Sequence, residues 1–275
     1  MTVEQLILQS QKLIPLHQVH MLLCHVLQID YTKLLSNINL EVLPKQIEIY
    51  NTLVNRIVEG EPIQYVIGDV NFYGYNYKIN KNVLIPRFET EELVNNTIKY
   101  IDNLFKKESL NVIDLGCGSG CIGITLKKER PELNVTCLDI SKEALEVAKN
   151  NSNTLKADVT FIQGNMLNNI SGKYDVIISN PPYISYDETI EEIVKNNEPH
   201  LALYASNNGL YYYDEILSNA KKNLNDRFLI ALEIGMNQKE QIIDIANKYF
   251  EKVNIECKQD LSGKDRMIFI YNIIE

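Results

Sequence analysis

The stretch VIDLGCGSGCIGI, Val112 to Ile124, decides the fold. It opens with an apolar run of strand character. Three glycines at alternate positions, Gly116, Gly118 and Gly120, break that run, and a segment of helical character follows. Strand, glycine turn and helix in that order open a βαβ unit. Glycines there let the backbone turn tightly and come close to a ligand, and a helix N-terminus presents unpaired N–H groups, so the loop reads as a cofactor site.

Downstream, short β-branched runs alternate with helical stretches. NVIDL, NVTCLD, VTFIQ, DVIIS, RFLIALE, KVNIEC and RMIFIYN are candidate strands, while EALEVAKNN and GLYYYDEILSNAKKNL carry helical periodicity. This alternation predicts a parallel α/β sheet with helices on both faces. The last two strands are joined only by KQDLSGKD. A connection so short forces an antiparallel pair, which makes the seven-stranded sheet mixed.

Upstream, VEQLILQSQKLI, LHQVHMLLCHVLQI and PKQIEIYNTLVNRIVEG predict a small helical bundle that stops at Gly60. DVNFYGYNYKIN alternates and predicts a hairpin turning near Gly74. In VLIPRFETEELVNNTIKYIDNLFKK, Pro86 ends an extended piece, and Thr90 before Glu91 and Glu92 reads as a polar cap followed by acids at the positive helix end. The expected organisation is a helical domain over residues 1–67, a hairpin linker over 68–86 and an α/β domain over 87–275.

Of the 275 residues, 45% are hydrophobic and 23% charged, and no segment offers the ~18 uncharged apolar residues of a membrane span. The N-terminus lacks a basic region before an apolar run and a cleavage site, so a cytoplasmic location without membrane partners is expected. A net charge of −9 gives no global footprint for nucleic acid, so none is expected as a partner. Cys24, Cys117, Cys121, Cys137 and Cys257 form no CxxC pair and read as reduced, packed thiols. His17 and His20 can share a helix face, but no further ligand completes a set at readable spacing, so no metal is expected.

Asp139, about twenty residues beyond the glycine loop at the end of the second strand, is placed to accept hydrogen bonds from ribose hydroxyls. Gly118-x-Gly120-x-x-Gly123 followed by Asp139 also satisfies the dinucleotide fingerprint, so the loop alone leaves NAD and S-adenosylmethionine open. Asp114 can hold a cationic amino-acid moiety, which favours the methyl donor, or can anchor the loop backbone. In DVIISNPPYIS, Asp175 to Ser185, two prolines end a strand abruptly. Asn180 and Pro181 each precede a proline and are pushed toward extended conformations. The Asn180 amide oxygen and the Pro181 carbonyl, beside Pro182 and the flat face of Tyr183, form a receptor for a planar NH₂ group. Catalysis by such a loop is mainly orientation.

A planar NH₂ occurs on glutamine, asparagine, adenine and cytosine, and the proline loop does not choose among them. The chain as a whole does. GEPIQYVIGDVNFYGYNYKINKNVLIPRFETEELV, DLGCGSG, NPPY, NEPHLALYASNNGL, EIGMNQ and DLSGKDR together resemble the peptide-chain release factor glutamine methyltransferases, the HemK/PrmC family. The resemblance implies a class I, Rossmann-like S-adenosylmethionine-dependent methyltransferase. Its substrate is the side-chain amide nitrogen of the glutamine in the Gly-Gly-Gln loop of class I release factors, its partners. By that resemblance Gly116, Cys117, Gly118, Ser119, Gly120 and Asp139 bind the cofactor, with Asp114, Asn165, Met166 and Asn180 beside it. Asn180, Pro181, Pro182 and Tyr183 hold the glutamine, with Asn180, Pro181 and Tyr183 the catalytic set, and the helical domain docks the release factor. Arg87, Glu89 and Glu91 look functional by resemblance, although a helix-start ion-pair network explains them as well. Two positions depart from the family pattern: Phe88 stands where Pro is usual, and Asn165 where an acid is usual. Asn165 or Met166 then meets the adenine differently, or Met166 is core. The competing reading is adenine-N6 methylation of DNA or RNA. It needs a basic groove and a means of presenting the base, and the sequence has neither a basic run nor an added recognition segment.

Overall fold

The computed structural model describes residues 1–105, 109–168 and 170–272. By its contacts the chain forms two compact units, Met1–Asp69 with Glu191–Asn197, and Val70–Ile190 with Glu198–Glu275.

The first unit is helical: α1 (Val3–Ser10), α2 (Leu16–Leu27), α3 (Tyr31–Ser36), α4 (Pro44–Val58) and α5 (Ile63–Ile67). Local chemistry sets its ends. Thr2 and Gln5 form a reciprocal capping box on α1, Asp30 caps α3 by accepting from Lys33 N, and Gly68 ends α5 in the left-handed conformation. Val3, Leu6, Val19, Leu22, Leu23, Leu34, Tyr50 and Val54 build its core. The short helices α3 and α5 lie below the length at which periodicity predicts a helix.

From Val70 the second unit takes in all but the first residue of a hairpin, β1 (Asp69–Phe72) and β2 (Tyr75–Lys78), turning through Tyr73 and Gly74, both at positive φ. There follow α6 (Phe88–Phe105), β3 (Asn111–Leu115), α7 (Cys121–Glu129), β4 (Asn134–Asp139), α8 (Lys142–Leu155), β5 (Thr160–Gln163) and β6 (Tyr174–Ser179). Then come β7 (Ile184–Ser185), α9 (Glu192–Asn197, in the first unit by its contacts), α10 (His200–Leu203) and β8 (Tyr204–Ala205). The chain closes with α11 (Tyr211–Asn223), β9 (Leu224–Glu233), α12 (Lys239–Tyr249), β10 (Asn254–Gln259) and β11 (Asp265–Tyr271). The helix expected through Lys107 is described to Phe105, and Lys106 and Lys107 lie outside the described residues.

Among the described residues the main sheet has seven strands in the order β10-β11-β9-β6-β3-β4-β5. All pairs are parallel except β11 with β9 and β10 with β11, so the short final connection makes an antiparallel pair as expected. Side chains alternate across the sheet. Val112, Val176, Leu229 and Phe269 pack against α6, α7 and α8, while Ile113, Ile177, Ile230 and Ile268 pack against α11 and α12. The chain runs outward from β3 through β4 to β5, then returns to β6 on the other side of β3. The carboxyl ends of β3 and β6 therefore flank a topological switch point, where open α/β sheets form a crevice. No helix among the described residues is long and apolar enough to cross a membrane.

One local expectation is corrected. Thr90 does not cap α6, which starts at Phe88. Thr90 lies inside the helix, is buried, and spends its hydroxyl on a tertiary partner described below.

Candidate active site

The glycine loop is held from below by backbone bonds. Gly116 N and Cys117 N both donate to the Leu138 carbonyl, at 2.8 and 2.9 Å. Gly118 N donates to Asp139 Oδ2 at 2.8 Å. Gly118 sits at φ +53° with open space where a Cβ would stand, so the loop presents bare backbone on that side. Gly123 in α7 is required for another reason. A Cβ there would lie 2.4 Å from Cys137 Sγ and 3.1 Å from Asp114 Oδ2, so the helix packs on β4 more closely than a side chain allows.

Asp139, at the end of β4, is buried, and its second carboxylate oxygen accepts from Ser141 N at 2.9 Å. Burial raises its carboxyl above the ordinary aspartate value, while the N–H groups of Ser141 and Gly118 act in the opposite sense. Each oxygen has taken one backbone N–H and keeps acceptor capacity. Asp114 is placed differently. It is fully enclosed beneath the loop, with Oδ2 accepting from Gly123 N at 3.0 Å and Oδ1 without a partner among the described residues. Burial pushes its carboxyl up to about 7. It stands behind the loop as a backbone anchor, not on the wall where a cofactor contact was expected.

A crevice of about 250 Å³ opens at the carboxyl edge of the sheet. Of the residues singled out in the sequence, Gly116, Gly118, Asp139, Asn165, Met166, Asn180 and Pro182 line it. Cys117, Ser119 and Gly120 are buried within the loop, and Pro181 is buried too. The Tyr183 ring is also off the wall. It packs with the core on the α11–α12 side, its carbonyl accepts from Gln238 Nε2 at 3.0 Å, and burial pushes its phenol above the ordinary value. Tyr183 is half-buried and does not line this crevice.

Another part of the lining is made mostly of residues that the sequence marked only through resemblance. It comprises Lys81 to Leu84 after the hairpin and Pro199, Leu201 and Ala202 around α10, with Tyr212 beside them. The buried Glu198 fastens these stretches together: Oε1 receives Arg87 Nη2 at 2.5 Å and Oε2 receives Ile85 N at 3.0 Å. Ser179 Oγ donates to the Leu115 carbonyl at 2.7 Å, tying the end of β6 to the end of β3.

Asn180 follows directly. Its Nδ2 donates to Thr90 Oγ1 at 3.2 Å, and that hydroxyl donates to Glu233 Oε2 at 2.6 Å. Glu233 is buried at the end of β9, and burial holds its carboxyl at about 7. The sequence reading missed its link, through Thr90, to the proline loop. Its place at the carboxyl end of a parallel strand beside β6 is the signal that finds it. Bare loop backbone, an acceptor carboxylate and a side-chain amide thus face one crevice, an arrangement suited to holding a nucleoside-bearing cofactor against a polar acceptor group.

The Methyltransferase small domain family matches residues 88–204, and the PrmC N-terminal domain family matches residues 5–68. A release factor glutamine methyltransferase of Bacillus anthracis is 40% identical over 252 residues, which are 90% of this chain and 89% of that protein. One from Bacillus subtilis is 37% identical over 254 residues, 90% of this chain and 88% of its own length. Among solved structures, a methyltransferase from Pyrococcus furiosus shares the fold, with a TM-score of 0.55 at 16% identity over 80% of this chain and 98% of that one. With two-fifths of its residues shared along nine-tenths of its length, the chain belongs to the release factor glutamine methyltransferase family.

Proposed function

We propose that this protein methylates the side-chain amide nitrogen of the glutamine in the Gly-Gly-Gln motif of class I peptide-chain release factors, with S-adenosylmethionine as donor. The observation that carries the reading is the meeting of Asn180 with Gly118 and Asp139 in the lining of one crevice. The residues present fit the donor. The space over Gly118 admits a ligand against the backbone, Asp139 keeps lone pairs for ribose hydroxyls, and Met166 and Leu201 give apolar wall for a flat base. When bound, the donor supplies an electrophilic methyl group on a sulfonium. The chain's own contribution is orientation: Asn180 Oδ1 and the Pro181 carbonyl accept the two N–H groups of the substrate amide, holding its nitrogen in line for attack. The choice of glutamine is supported by membership of a family whose relatives carry that activity in their names. The helical unit, Met1–Asp69, is assigned to docking the release factor.

Incubation with S-adenosylmethionine labelled in its methyl group and, separately, purified release factor and duplex DNA tests the reading. Label in the release factor, lost when its Gly-Gly-Gln glutamine is replaced by alanine, is expected. Label in DNA and none in the release factor overturns it.

A further inference from the structure

We propose that Thr90 and Glu233 are positioning residues that fix which way the Asn180 amide points, and so make the crevice select a primary amide over a carboxylate. The inference rests on the glutamine-methylating reading above. A threonine hydroxyl carries one proton. At Thr90 that proton goes to Glu233 Oε2, 2.6 Å away, where a carboxylate is the strongest acceptor at hand. Its proton spent, Oγ1 can only accept from Asn180, so the atom facing it at 3.2 Å has to be Nδ2. Hydroxyl stoichiometry thus settles an orientation that the near-identical shapes of amide O and N leave open. Oδ1 has no partner among the described residues and is left for the crevice that Asn180 lines. An outward Oδ1 attracts an N–H donor and repels a carboxylate. With the amide turned over, Nδ2 would face the crevice and the preference would reverse.

The relay depends on Glu233 as acceptor. Around it stand Arg87, Glu89, Arg266, Tyr183 and Tyr213. Arg266 is held by Asp260 Oδ2 at 3.2 Å and the Ile234 carbonyl at 3.3 Å, Arg87 by Glu198, and the Tyr213 hydroxyl donates to the Glu233 main-chain carbonyl at 2.9 Å, while Thr90 Oγ1 donates to the Glu233 carboxylate. A protonated Glu233 can give its own proton to Thr90 Oγ1. The threonine proton then turns toward Asn180 and is met by an acceptor only when the amide is reversed. Burial sets this exchange at about 7.

The test compares wild type, Thr90→Ser, Thr90→Val and Glu233→Gln by three readouts. These are kcat on release factor, cofactor affinity by calorimetry, and inhibition by a release factor carrying glutamate in place of the Gly-Gly-Gln glutamine. Thr90→Val is expected to lower kcat about tenfold, the scale of one mis-set hydrogen bond, with cofactor affinity within about twofold. The glutamate protein should inhibit Thr90→Val about tenfold more tightly than it inhibits wild type. Thr90→Ser, which keeps the hydroxyl, should stay close to wild type on every readout. Wild-type kcat should fall as pH drops through about 7, and Glu233→Gln should flatten that profile. Wild-type kcat and wild-type glutamate inhibition in Thr90→Val overturn the proposal. Should that variant lose cofactor binding or fold poorly, a Glu233→Gln protein whose kcat still falls as pH drops through about 7 overturns it instead. A wild-type protein that leaves release factor unmethylated sinks the underlying reading, a separate and distinguishable failure.

Discussion

Gly123→Ala sets two rules against each other. Gly123 lies in α7 with ordinary helical backbone, so helix propensity alone predicts stabilisation by ~1 kcal/mol. The packing predicts the opposite. The new methyl would stand 2.4 Å from Cys137 Sγ, 3.1 Å from Asp114 Oδ2 and 3.2 Å from Val135 Cγ1, against the ~3.5–4.0 Å of ordinary contact. Cys137 is fully buried in β4, paired with β3 on one side and β5 on the other, and has no room to retreat. Overpacking of this kind costs ~1–3 kcal/mol, and a sulfur contact more than an ångström too short belongs at the upper end. The net expectation is destabilisation by ~2 kcal/mol, read as a lowered urea midpoint followed by far-UV circular dichroism. Cys137→Ala removes the worst contact and leaves the two milder ones. The double variant should therefore recover ~1–2 kcal/mol relative to the sum of the single changes. A Gly123→Ala protein as stable as wild type, or strict additivity with Cys137→Ala, refutes the reasoning.

Asn180→Ala should abolish methyl transfer while calorimetry finds cofactor affinity nearly intact; wild-type turnover in that variant removes the acceptor role from the proline loop. Asp139→Ala deletes the carboxylate that holds Gly118 N and Ser141 N, and should weaken cofactor binding by ~1–3 kcal/mol; an unchanged dissociation constant contradicts the assignment. Asp114 titrates at about 7 in the folded chain against 3.8 ordinarily. Between those values the folded state holds a proton that the unfolded state has lost, so this carboxyl's contribution to stability falls as pH rises. Asp114→Asn should remove up to ~1.4 kcal/mol per pH unit of that slope, so its stability relative to wild type improves from pH 5 to pH 7. Parallel stability profiles for the two proteins would rule out a buried, titrating Asp114.

The sheet was legible because its strands are buried on both faces. Segments such as Val112–Leu115 and Val176–Ser179 read as strands from composition alone, and the brevity of KQDLSGKD forced the orientation of β10 against β11. The helices α3 and α5 and the two-residue strands β7 and β8 were too short for any period to register. In the site, Gly118, Asp139 and Asn180 were readable because each follows a strand at the edge where ligands bind. Thr90 was misread because a polar residue ahead of two acids has the local look of a cap, whereas its hydroxyl is committed to Glu233, 143 residues away. Tyr183 and Asp114 share one lesson. Residue type and spacing place a side chain near the crevice, but only packing decides whether it faces the ligand or the core.

The Glu198 clasp gives the crevice a mechanical property. Ile85 and Arg87, just past the Lys81–Leu84 wall, are bound to the residue directly before Pro199, where the neighbouring wall begins. Two stretches more than a hundred residues apart in the chain thus behave as one plate. Neither margin can swing aside to admit a ligand or release a product without carrying the other, unless both bonds to Glu198 are first broken.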